Sequence, residues 1–196
     1  MRINAICLLA SAILILPSLS HAQGVPVFEV TPVESSILFE VDASVAIKGK
    51  FDKWNATLTF TSPDVETASL DVEIQAATVD TGSGLKNSKL KGSDFFDVTN
   101  NPLISFKSTK IVQSGPTTFE VDGNFTIRGV TRPEHLTLVL SGKGTGTGEV
   151  KGVMAFDRKQ YGMNSGIPFI RIADRVQVTV TLKARRVSGP PVVFKQ

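Results

Sequence analysis

Cysteine is almost missing from this chain. The single example, Cys7, sits in an apolar run near the N-terminus, so the body of the sequence holds no disulfide, no thiol nucleophile and no thiolate metal site. Histidine is nearly as scarce, with His21 in the same N-terminal region and His135 far along the chain. A Ser-His-Asp triad or a histidine zinc site would rest on His135 alone, and both are rejected. Charge of one sign is lacking too: the formal net charge is +3, and the densest basic group, Lys86, Lys89 and Lys91, is short and weaker than the footprint of a nucleic-acid binder. Tryptophan and tyrosine occur once each, whereas phenylalanine occurs twelve times, so the aromatic surface is almost wholly apolar.

Long hydrophobic runs are limited to one. Arg2, the apolar stretch Ile3 to Leu16 and the small-x-small triplet Ser20-His21-Ala22 have the pattern of a secretory signal peptide cut after Ala22. The run is short for a membrane span, and the residue after the cut is Gln23 in place of a lipoprotein's cysteine. The expected organisation is a signal peptide at 1–22, one domain at 23–187, and a flexible tail at 188–196 carrying Gly189-Pro190-Pro191.

What the chain has in quantity is alternation. Ile37, Phe39, Val41 and Ala43 alternate with polar or outward residues, as do Leu70, Val72, Ile74 and Ala76. Phe119, Val121, Gly123, Phe125 and Ile127 repeat the pattern, and so do Val176, Val178, Val180, Leu182 and Ala184. Period two marks strands with one face buried. Further strands are expected at 49–60, 104–111, 134–140 and 150–158, for eight in all and no long helix. In the 49–60 strand the parity of Gly49 and Phe51 differs from that of Trp54, Ala56, Leu58 and Phe60, which predicts a β-bulge near Asp52-Lys53. Eight antiparallel strands close as a barrel or stack as a sandwich, and closure removes exposed edges. The interruption at Leu85 to Val98 suits one or two helical turns.

Candidate chemistry is sparse. Asp94 and Asp97 flank Phe95-Phe96; as a pair they would suit acid–base work in a dry cleft, but Asp94 reads as a helix cap and Asp97 as a partner of nearby backbone. Gly142, Gly144, Gly146 and Gly148 are followed by a strand and not by a helix, so they form a hairpin tip and no phosphate cradle. No catalytic residue, no metal ligand and no cofactor is assigned. Phe39, Phe51, Trp54, Phe60, Phe106, Phe125 and Phe156 share the inward parity of their strands, which suits a solid core and a ligand tunnel equally. Arg158 shares parity with Met154 and Phe156 and so breaks an apolar face, either as a ligand contact or as a salt bridge, with Asp174 one candidate.

Four blocks carry a resemblance: SSILFEVDASVAIKGKF at 35–51, the stretch 81–109 containing LKGSDFFDVTNNP, NFTIRGVTRP at 124–133, and FDRKQYGMNSGIPFIRIADRVQVTV at 156–180. In these the chain resembles the YceI-like, polyisoprenoid-binding proteins of the bacterial periplasm. The resemblance implies an all-β, eight-stranded antiparallel lipocalin-like β-barrel with a short helical segment at one end. It also implies a periplasmic location and a long-chain amphipathic lipid, of polyisoprenoid or isoprenoid-quinone type, as non-covalent ligand. The chain would then be a carrier or sequestering protein and not an enzyme. Expected lipid contacts are Phe39, Val41, Phe51, Trp54, Leu58, Phe60, Val72, Ile74, Leu90, Phe95, Phe96, Phe106, Phe125, Ile127, Met154, Phe156 and Arg158. The chain departs from many relatives at Ala43, where they have histidine, and at Lys86-Asn87-Ser88-Lys89, where they have Arg-Asp before the leucine; both positions bear on headgroup contact. Nucleic acid is excluded as a partner, and transient membrane contact and a homodimer are left open. Two other functions stay open beside the carrier: an enzyme on a lipid substrate using Asp94, Asp97 or Arg158, and a solid-core stress-protective interaction module.

Overall fold

A computed structural model of the chain describes residues 24–44, 47–166 and 171–196. The expected signal peptide at 1–22 lies outside the described residues. So do Val45, Ala46 and the stretch 167–170, which belong to two of the blocks quoted above.

The described residues are built into strands, eleven of them where eight were expected. They are β1 (Val27–Val30), β2 (Ser36–Ala43), β3 (Ile47–Phe51), β4 (Trp54–Phe60), β5 (Ala68–Gln75), β6 (Val79–Asp80), β7 (Leu103–Gln113), β8 (Thr118–Ile127), β9 (Val130–Ser141), β10 (Thr147–Asp157) and β11 (Ile172–Ser188). Among the described residues one α-helix, α1 (Gly84–Lys91), and four short 3-10 turns interrupt them. The eight expected strands are all present, and the extra three have identifiable origins. The 49–60 strand divides at Asp52-Lys53, where a bulge was expected. Backbone groups freed at the break bond elsewhere: Asp52 N–H donates to the Thr78 carbonyl (3.3 Å), and Lys53 N–H donates to Thr78 Oγ1 (3.1 Å). β1 and β6 are too short for alternation to announce them.

All strand pairs are antiparallel, in the order β4-β5-β7-β8-β9-β10-β11-β2-β3-β6, with β1 laid along the far part of β11. The sheet curls, yet hydrogen bonds do not complete the ring: β3 pairs with β2 and β4 pairs with β5, so the two halves of one bent strand join opposite ends of the sheet through the chain itself. Part of the remaining seam is filled by Phe28 of β1 against Phe60 of β4, with ring centroids 5.7 Å apart. One of the three extra strands thus comes from the bend at Asp52-Lys53. A strand that must change partners part-way bends at the change.

Inward parity holds across the sheet. Ile37, Phe39 and Val41 are buried while Leu38, Glu40 and Asp42 face outward. In β7 a register shift between Ser108 and Lys110 returns Ile111 to the inside, and buried Ser108 accepts the Leu70 N–H at 2.8 Å where the β5–β7 ladder has ended. Two glycines open the wall for aromatic rings. A side chain at Gly49 would meet the Phe39 ring at 2.5 Å, and one at Gly123 would meet the Phe106 ring at 2.4 Å. Each ring occupies the space of a missing neighbour, an arrangement that secures weak glycine positions in a strand.

α1 is capped by Ser83, whose hydroxyl accepts from Lys86 N–H, and it ends at Gly92. Asp94 therefore does not cap it. Its carboxylate pairs with Lys89, and that hydrogen bond is the first cause holding the Asp94 carboxyl below the usual range.

Candidate functional site

Three apolar cavities stack along the inside of the curled sheet. The upper one, beneath α1 and the Phe95-Phe96 turn, encloses about 670 Å³ of atom-free space counting its opening. The middle one encloses about 530 Å³ and the lower one about 650 Å³. Upper and middle share Ile37, Ile74, Phe125 and Val178 as wall; middle and lower share Leu138 and Val150. From Phe119 on the lower cavity to Ile127 on the upper, β8 covers about 27 Å at the antiparallel rise. The space is thin: a water-sized body fits in only a small part of it, least in the middle cavity.

The expected contact residues map onto these walls with one exception. Phe39, Val41, Phe51, Leu90, Phe95, Phe96, Ile127, Phe156 and Arg158 line the upper cavity. Val72, Phe106 and Met154 line the middle one, and Ile74 and Phe125 line both. Leu58 and Phe60 line the lower one. Trp54 lines none of the three; it follows the Asp52-Lys53 bend and packs against the core from its margin. Wall residues not selected from the sequence include Ile37, Val176 and Val178, whose parity was visible, and Val192 and Phe194, for which no periodic signal exists.

Among the described residues Arg158 is the one charged side chain on the three walls. Its guanidinium donates from Nε to the Ala173 carbonyl (3.0 Å), from Nη1 to the carbonyls of Met163 and Ser165, and from Nη2 to Asp174 (3.3 Å). Most of its five N–H groups are thus committed to the protein, and the geometry matches a clamp joining the turn at 158–165 to the start of β11 more than a ligand contact. Beside it Tyr161 is fully buried, packs edge-on to Phe125 and Phe156, and donates its hydroxyl to Glu134 at 2.6 Å. Burial raises its phenol well above the usual range.

Neither flanking carboxylate lines a cavity. Asp94 is held by Lys89, and Asp97, in the left-handed region at φ 50°, accepts from the side-chain amides of Asn100 and Asn101. His135 lies on the outer surface between Asp122 (2.9 Å) and Glu120 (2.7 Å), and the Asp122 bond is the first cause that raises its imidazole. Among the described residues no group of three acidic, histidine or cysteine side chains stands close enough to hold a metal ion. The site is therefore a stack of apolar cavities whose one charged wall residue is turned to the protein.

Such a channel within a curled antiparallel sheet defines a class of hydrophobic-cavity β protein. The YceI-like domain model matches residues 28–184, and the chain belongs to that family. A UPF0312 protein of Pseudomonas savastanoi pv. phaseolicola is 31% identical over 98 residues, 50% of this chain and 51% of that one. The alignment thus spans about half the length of the curated relatives it matches. Burkholderia cenocepacia BcnA superposes with a TM-score of 0.72 at 24% identity, over 79% of this chain and 99% of BcnA. A polyisoprenoid binding domain from Saccharophagus degradans, implicated in plant cell wall breakdown, gives 0.66 at 13% identity, over 82% and 99%. At these identities the likeness is one of fold.

Proposed function

We propose that this chain binds a long-chain amphipathic lipid, of polyisoprenoid or isoprenoid-quinone type, within the stacked cavities, and serves as a periplasmic carrier or sequestering protein. The observation that carries the reading is the apolar lining of the three stacked cavities, spread over about 27 Å along β8, with its one charged residue, Arg158, already engaged by the protein. Each buried methylene contributes about 0.8 kcal/mol, so a long chain gains affinity without a precise polar site. The polyisoprenoid-binding description of the Saccharophagus degradans neighbour supports the ligand class. The signal-peptide pattern at 1–22 supports the periplasmic location.

Mass spectrometry of gently purified protein tests this. A long-chain lipid near one per chain is the expected result. Protein that carries no lipid, and takes up none when offered prenyl alcohols in detergent, refutes it and leaves a solid-core interaction module.

A further inference from the structure

Residues 188–196, which the sequence reads as loose, are tied across the lower end of the sheet. β11 ends at Ser188, and Gly189 turns the chain at φ 78°, where any side chain would strike the Val25 carbonyl at 2.0 Å. The segment then reaches the far side of the sheet. Val193 N–H donates to the Pro63 carbonyl (2.8 Å) and its carbonyl accepts Val65 N–H (3.0 Å), beside the β4–β5 connection. Lys195 exchanges two hydrogen bonds with the Gln113 side chain at the end of β7 and pairs with Glu66. From the β4–β5 connection the segment runs on to the end of β7, and Phe194 reaches Phe119 of β8, so it crosses the opening.

Alternation within the segment gives it an inner face. Val192 and Phe194 line the lower cavity, while Val193 between them points out and is 59% exposed. The Phe194 ring packs on Phe119 (6.2 Å between centroids) and carries Lys143 of the glycine-rich hairpin 4.5 Å above its face. The wall of the tunnel is thus made by the sheet, and its floor by two side chains of this strap.

We propose that the strap 190–195 is an end stop, with Val192 and Phe194 setting how long a chain the tunnel accepts. The inference rests on the lipid-tunnel reading above. A chain lying along the tunnel meets these two side chains at its lower end, so the floor discriminates among ligands that the walls treat alike. Hydrogen bonds of the strap run through its backbone and through Lys195, so truncating the two inner side chains lowers the floor and leaves the attachment in place.

The test offers the full-length protein a series of linear prenyl alcohols of graded length and measures affinity for each. In a variant carrying Val192→Ala and Phe194→Ala the preference should move toward longer chains by about tenfold, the effect of roughly two additional buried methylenes. Affinity for chains too short to reach the floor should not change. Phe194→Trp should move the preference toward shorter chains, and it keeps the test valid if the double variant does not fold. An unchanged length profile, or an equal loss for short and long chains, overturns the end stop and makes the strap a structural clasp. Native protein that binds no prenyl alcohol of any length refutes the lipid-tunnel reading itself, an outcome distinct from either.

Discussion

Val178 stands at the neck between the upper and middle cavities, sharing that position with Ile37, Ile74 and Phe125. Its parity is inward, yet it is only half-buried, so part of its surface faces the channel. Val178→Phe places a ring in the neck. If the channel is open, the ring enters free space and folding stability is nearly unchanged. If the interior is a filled core, overpacking costs about 1–3 kcal/mol. A domain of this size then melts about 3 °C lower per kcal/mol. Binding separates the two cases further. A lipid stopped at the neck loses its contacts with the middle cavity. Eviction of about five methylenes costs roughly 4 kcal/mol, on the order of a thousandfold in Kd. The assay is a titration with one long and one short prenyl alcohol, alongside a thermal melt. The expected result is a large loss for the long ligand, little loss for the short one and a small change in melting. A stability loss without any length-dependent change in affinity would refute the open channel at this point.

Three other outcomes are expected. Ser108→Ala leaves the buried Leu70 N–H without its acceptor and should cost about 1–3 kcal/mol in denaturant unfolding, with lipid affinity of the folded protein retained. Arg158→Met unpairs the carbonyls of Ala173, Met163 and Ser165; it should destabilise by about 3 kcal/mol or more, while lipid affinity measured well below the melting point changes little, because the guanidinium serves the loop. His135 should titrate above its ordinary value near 6.5, raised by its bonds to Asp122 and then Glu120. The sign follows from the raised folded-state value: this stabilisation is complete below about pH 6.5 and is lost as pH rises through the folded-state pKa. Glu120, lowered by the His135 bond first, contributes above its unfolded value and loses that contribution as pH falls through its folded one. An imidazole NMR titration at or below 6.5 would contradict the first half, and an equal stability–pH profile for His135→Gln would contradict both.

Much of this arrangement is legible along the chain because strand alternation is local. Phe119 to Ile127 and Val176 to Ala184 reveal their inward residues by parity alone. The slip at Asp52-Lys53 was legible too, but its consequence was not: whether a bent strand stays with one partner or changes to another depends on β2 and β5, which are distant from one another in the sheet. Trp54 shows the same limit, since its parity is inward but the bend moves it to the margin. For Arg158, parity located the residue on the wall, while its role was decided by carbonyls at 163, 165 and 173 that no spacing rule identifies. The strap was least legible. Its partners, Pro63, Val65, Glu66 and Gln113, lie far back in the sequence, and two consecutive prolines resemble a loose tail until those partners are known.

The distribution of polar contacts explains how a chain without disulfides among its described residues keeps an apolar channel shaped. Along the walls, order comes from the strand ladders and from rings seated over Gly49 and Gly123, none of which places a polar atom in the channel. At the ends, where the ladders stop, side chains capture loop carbonyls instead. Arg128 donates to Ser93 on the Phe95-Phe96 side and to Gly162 on the Tyr161 side, both at 2.9 Å, so one residue ties two covers of the upper cavity. Arg158 holds the loop beyond it, and Lys195 with Gln113 and Glu66 holds the strap below. The Nε of Arg128 is buried with no partner, which makes this tie costlier than a satisfied one. A ligand that needs the thin channel to widen therefore has least resistance at its ends, where a few hydrogen bonds must yield, and most along the sheet, where whole ladders would have to part.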